Sequence, residues 1–110
     1  MQTILNDLQT WYAAQCDGNW EHSSGVAIGT LDNPGWSVEI NLEGTLLEAK
    51  AFVEVEKNET EESWFICRVK EKKFIGCGDP GRLEQILGIF LEWAKSEPDW
   101  LAIDYESPVL

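Results

Sequence analysis

The sequence predicts an α+β fold: an N-terminal helix, a five-stranded antiparallel meander sheet and a C-terminal helix packed on one sheet face. All of it falls in one domain over residues 1–110. Three observations predict it. Apolar residues recur at helical spacing near both ends of the chain. Between them, short segments alternate apolar and polar residues. Clusters of Asp, Asn, Gly and Pro separate those segments. Such a set resolves as one layer of helices on one layer of sheet.

Ile4, Leu5, Leu8, Trp11 and Tyr12 set an amphipathic helix over residues 3–15, which Cys16-Asp17-Gly18-Asn19 ends. GVAIGTL, residues 25–31, reads as a strand with Val26, Ile28 and Thr30 on one face. DNPGW then turns the chain. Pro34 presets the second position of a type II turn, and Gly35 supplies the positive φ of the third. WSVEINLE puts Trp36, Val38, Ile40 and Leu42 on one side and Ser37, Glu39, Asn41 and Glu43 on the other. AFVEVEK, residues 51–57, sets Val53 and Val55 against Glu54 and Glu56, and KNETEES follows as a polar turn. WFICRVK, residues 64–70, and KFIGCG, residues 73–78, make a hairpin. Turns centred near Pro34, Thr60 and Lys72 pair Ile28 with Ile40, Val55 with Phe65, and Cys67 with Cys77. One apolar face then runs through all five strands. Asp79 as N-cap and Pro80 at the first helical position open a helix over about residues 80–96, whose apolar stripe runs from Leu83 to Ala94. The last residues form an ordered tail that must pack Trp100, Leu101, Ile103 and Tyr105.

Net charge is −12, from 20 acids and 8 bases. Residues 1–49 contain seven acids and no Lys or Arg, while four of the eight bases fall between Arg68 and Lys73. That field repels phosphate backbones, which argues against nucleic acid as a partner. It attracts basic proteins and speeds their encounter, although solubility alone also accounts for it. No apolar run reaches bilayer length, so no membrane contact is expected. The N-terminus lacks a basic segment before an apolar one, as a signal peptide requires. The three cysteines are then expected to be reduced thiols in a cytoplasmic protein.

Residues 16–25, CDGNWEHSSG, look like an active site. A small enzyme using Cys16, Glu21 and His22 is one reading. The C-terminal dipole of the preceding helix and the acidic surroundings both oppose a thiolate at Cys16. Glu21 and His22, if neighbours on a strand, point to opposite faces. Metal binding by Cys16, Asp17, Glu21 and His22 lacks the close-spaced ligand pairs of structural zinc. No Gly-rich phosphate loop is present. Neither cofactor nor metal is therefore implied, and catalysis has no support in the residues. The outward sheet face is different. It carries Glu39, Glu43, Glu54 and Glu56 with Trp64, Ile66, Arg68 and Lys70. One register sets Glu39 beside Lys50, the other beside Glu54. Such a face is either an interface, including a self-associating one through Trp64, or a surface that Trp100 and Tyr105 of the tail cover.

LQTWYAAQCDGNWEH, GVAIGTLDNPGWSVEINLEGT and FIGCGDPGRLEQILGIFLEW together resemble the Immunity protein 53 family, small bacterial proteins encoded beside polymorphic toxins. The resemblance implies a cytoplasmic protein that binds a cognate toxin and blocks it. Many such toxins are nucleases with basic active surfaces, which a −12 partner fits. Asp17, Trp20, Glu21, His22, Glu39, Glu54, Glu56 and Trp64 are then the candidate partner-binding residues, in a monomer or weak homodimer. For Trp20, Glu21 and His22 a framework role competes with a contact role. Trp20 would cap the core while Glu21 and His22 fix the loop by hydrogen bonds.

Overall fold

The computed structural model describes residues 3–101. Helix α1 spans Ile4–Gln15, opened by Thr3, whose Oγ1 accepts from the Asn6 amide at 3.0 Å. A single helical turn, α2 (Trp20–Ser23), follows where no helix was expected. The strands are β1 (Val26–Leu31), β2 (Gly35–Asn41), β3 (Val55–Thr60), β4 (Ser63–Lys70) and β5 (Lys73–Gly78); helix α3 (Leu83–Lys95) comes last. The α+β class and the antiparallel five-stranded sheet are as expected. Strand order is not that of a sequential meander: it runs β1-β2-β5-β4-β3, with β5 inserted between β2 and β4.

Several local expectations change with it. Gly35 does not take a positive φ; the Asn33–Pro34 bond is cis, and the type II turn is absent. Gly35 is glycine because a Cβ there would run into the Gly78 carbonyl. The first hairpin pairs Ile28 with Val38 and Val26 with Ile40, a two-residue shift that preserves the face of each side chain. Residues 51–54 lie outside the ladder, and the third strand continues to Thr60, into the expected turn. It pairs Val55 with Cys67 and Lys57 with Phe65, again two residues from expectation. Val53 is 84% exposed. Phe52 enters the core in its place, edge-on to Phe74 at 5.6 Å and to Trp93 at 5.1 Å.

The third hairpin departs by one residue, which inverts a strand. Glu71 and Lys72 both adopt positive φ, 53° and 64°, so the loop has two residues and Lys70 pairs with Lys73. Cys67 therefore faces Gly76, and Cys77 faces Ile66 on the opposite side of the sheet. The expected Cys67–Cys77 pair does not form. Inside the core lie Phe74, which is fully buried, and Gly76.

Helix α3 begins later than expected, with Arg82 at its N-cap. Asp79 has another task. Its Oδ2 accepts from the Trp64 amide at 2.8 Å and from Arg82 Nε at 3.0 Å, while Oδ1 accepts from the Gly81 amide at 2.8 Å. Arg82 also donates to Ser63 Oγ at 2.8 Å and lies over the Phe65 ring. This network pins the start of α3 to the start of β4.

The core lies between the sheet and the two long helices. Trp11 contacts Phe90 edge-on at 5.1 Å, and Phe90 contacts Phe74 at 5.2 Å. The buried Asp7 carboxylate binds Lys95 Nζ at 2.5 Å, joining α1 to α3. Trp100 packs against the same core with Lys95 over its ring, so it does not cover Trp64; Tyr105 and Ile103 lie outside the described residues. At Gly76 an added Cβ would strike Ile86 Cγ2. Gly76→Ala should therefore cost about 1–3 kcal/mol through overpacking, read as a lower urea midpoint. The double variant with Ile86→Ala should cost less than the sum of the two single changes, because the collision is gone.

Candidate functional site

The loop between α1 and β1 is built by its own carboxylates. Asp17 Oδ1 accepts from the amides of Asn19 and Trp20, each at 2.9 Å. Glu21 reaches back, its Oε1 accepting from the Asp17 amide at 3.0 Å and its Oε2 from the Gly18 amide at 2.9 Å. The exchange has the logic of a capping box around α2. Gly18, at φ 90°, makes the bend between the two partners. Trp20 is buried, meets Trp11 edge-on at 6.0 Å, and donates from Nε1 to the Glu43 carbonyl at 3.0 Å. The amides that donate to Asp17 hold its carboxyl below the ordinary carboxylate value.

Cys16 and His22 are both exposed. The thiol donates to the Tyr12 carbonyl at 3.4 Å, and His22 enters the loop through its backbone amide, which donates to Asn19 O. No hydrogen bond joins the two side chains among the described residues. Glu21 and His22 share a helical turn, not a strand, so the expectation of opposite faces does not apply; Glu21 is instead occupied by backbone amides. Cys67 is buried against the core, which pushes its thiol up to about 12, and burial also raises Cys77. Both thiols stay protonated at neutral pH. No group of three or more His, Cys, Asp or Glu able to hold a metal ion occurs among the described residues. A groove of about 760 Å³ runs between α1 and α3 and is lined by Ile4, Asp7, Gly88 and Lys95, away from this loop.

The other sequence-derived residues lie on or near the sheet face that no helix among the described residues covers. Phe65 and Cys67 point into the core, so Trp64, Ile66, Arg68 and Lys70 point out of it. Ile66 pairs with Cys77 on one side and Glu56 on the other, and Trp64 pairs with Asn58. Glu39 neighbours neither Lys50 nor Glu54. With β5 in between, it sits beside Ile75 and binds Lys73 at 2.9 Å. Glu54 is exposed just ahead of β3. The eight candidate residues thus divide. Asp17, Trp20 and Glu21 hold their own loop, with His22 exposed beside them. Glu54, Glu56 and Trp64 gather at the β3 side of the sheet, and Glu39 stands on β2, with β5 and β4 between it and β3. The face carries two further apolar residues, Ile75 and Cys77, that the one-residue register shift brings out.

A family model described as Immunity protein 53 matches residues 5–95. The chain belongs to that family. No curated protein and no solved structure matches it. The Immunity protein 53 match covers every helix and strand described above, apart from the first residue of α1. No helix among the described residues is long and apolar enough to cross a membrane.

Trp20→Ala should cost about 3–5 kcal/mol, as loss of a buried indole does, seen as a lower urea midpoint without any change in metal or thiol chemistry. A pH titration tests the carboxylates. Asp17 and Asp79 are both held below the ordinary value by amide donors. Their contribution is present in full above the unfolded carboxylate value and drains away as pH falls through the lower folded values. Asp17→Asn and Asp79→Asn should each flatten the acid limb of the stability curve relative to the parent chain.

Proposed function

We propose that this chain binds and neutralises a cognate protein toxin whose contact surface is basic, as the active surface of a nuclease is. Family membership over residues 5–95 carries the reading. The net charge of −12 supplies the physical complement: an acidic inhibitor is drawn to a basic enzyme before contact, and the pair associates faster than neutral partners do. Inhibition is by occupation of the toxin's surface, with no bond made or broken by this chain. Of Cys16, Glu21 and His22, which resembled a catalytic set, Glu21 supports that assignment, since its carboxylate accepts from the Asp17 and Gly18 amides and so is engaged in folding the loop. The encounter takes place in the cytoplasm of the producing cell, where the three thiols remain reduced.

Co-expression with the toxin encoded by the neighbouring gene tests this directly. Growth should be rescued, and a one-to-one complex should co-purify. Its association rate should fall by about tenfold or more between low and high salt, as electrostatic steering requires. A rescue that needs catalytic turnover, or a complex indifferent to salt, contradicts the reading.

A further inference from the structure

The sheet has two free edges, and they differ in charge. β1, residues Val26–Leu31, carries no charged side chain. β3 and its flanks, residues 54–62, carry five glutamates (Glu54, Glu56, Glu59, Glu61 and Glu62) against Lys57 alone, and Lys57 is engaged with Glu59 at 3.3 Å. Every residue of β3 except Val55 is exposed. Among the described residues the strand pairs with β4 only, so its outer edge presents ladder groups that none of them pairs.

Beside this edge lies an apolar strip that no helix or strand among the described residues covers. The ladder sets Glu56 against Ile66 and Asn58 against Trp64, so acidic and polar residues border the indole directly. Trp64 differs from the other tryptophans. Trp11, Trp20, Trp93 and Trp100 belong to the core, and the Trp36 indole donates to the Pro80 carbonyl at 2.9 Å. Trp64 alone of the six lies on the open face, half-buried. Tryptophan in such a setting is the residue type that most often dominates binding energy. The face is also polarised: Arg68, Lys70 and Lys73 occupy the far end, near the β4–β5 turn. A basic partner is repelled there and admitted at the Trp64 end, which fixes its register.

We propose that the basic toxin docks on the β3 side of the sheet, with its cations against Glu54, Glu56, Glu61 and Glu62 and an apolar recess over Trp64 and Ile66. The proposal rests on the toxin-binding reading and names its surface. An acidic edge strand that only prevents sheet-to-sheet aggregation makes the opposite prediction, since its charges would then be irrelevant to the toxin.

The test uses the full chain and the toxin domain from the neighbouring gene. Two four-site variants remove equal charge. One is Glu54→Gln/Glu56→Gln/Glu61→Gln/Glu62→Gln. The control is Asp32→Asn/Glu84→Gln/Glu92→Gln/Asp99→Asn. At low salt the β3 set should slow association about tenfold or more, and the control set less than about threefold. Trp64→Ala should raise the dissociation rate by about tenfold or more. Hydrogen exchange on the unmodified complex needs no variant to fold, and it should show slowed amides across residues 54–66. Equal slowing by both charge sets, or protection confined to the groove of Leu5, Tyr12 and Val26 beside α1, overturns the surface alone. The absence of any complex or rescue overturns the toxin-binding reading, and this surface with it.

Discussion

Ile86 of α3 rests over Gly76, at the centre of β5, and this contact fixes the phase of the strand on which the rest of the sheet is assembled. β5 bonds to β2 on one side and β4 on the other. A one-residue slip would send Phe74 out of the aromatic cluster and bring Ile75 beneath the helix. Phe74 has ring contacts with both Phe52 and Phe90, and such contacts are worth about 0.5–1.5 kcal/mol each beyond burial. The smallest residue under the helix and the ring beside it therefore select the same register. The cost is borne at Glu71 and Lys72, two non-glycine residues in the left-handed region. The outcome on the other side of the sheet is an apolar centre of Ile66, Ile75 and Cys77 that no helix among the described residues covers.

The tryptophans tie this core to the long connections. Trp20 donates to Glu43 O, Trp36 to Pro80 O, and Trp93 to Ala51 O at 2.8 Å. Each bond joins residues more than twenty apart in sequence and fixes a loop that has no ladder to hold it. A net hydrogen bond of this kind contributes about 1 kcal/mol, while the ring beside it contributes more through burial. The β2–β3 connection is held at both of its ends by such indoles, and Glu48 holds it in between, accepting from the Gly44 amide and pairing with Lys72. The stretch around Trp20 carries the residue types of a catalytic site, while its Asp17, Trp20 and Glu21 serve as a clasp.

Local periodicity made the two long helices and four of the strand segments readable, because amphipathic spacing records burial residue by residue. β5 matched its expected residues in full and its hairpin with β4 was readable, but its other partner was not: pairing of β2 with β5 joins segments more than thirty residues apart, and alternation says nothing about which neighbour a strand takes. Glu71-Lys72 lacks the Asn-Gly or Asp-Gly signal of a two-residue turn, so its length was invisible and Cys77 was placed on the wrong face. Phe52 and Val53 are both apolar neighbours, and only the space between Phe74 and Trp93 decides which of them enters. Asp79 before a proline reads as an N-cap by composition. Its real partners, Trp64 and Arg82, converge only after folding. At the candidate site the roles of Asp17 and Glu21 were hidden for a similar reason, since a carboxylate that caps and one that binds a partner have the same letter.

Ion pairing redistributes the charge that composition reports. Six of the eight bases, Lys50, Lys57, Lys72, Lys73, Arg82 and Lys95, are paired with acids. Arg68 and Lys70 form no ion pair among the described residues, and both stand at one end of the open face. Asp17, Glu21 and Asp79 spend their oxygens on backbone amides, so these acids act mainly within the fold. Beyond these, negative charge is concentrated at the β3 edge and along the outer side of α3. Of these two regions, the first adjoins an open strand edge as well as an apolar strip. An electrostatic field of −12 therefore has a direction, set by which carboxylates the fold has already used.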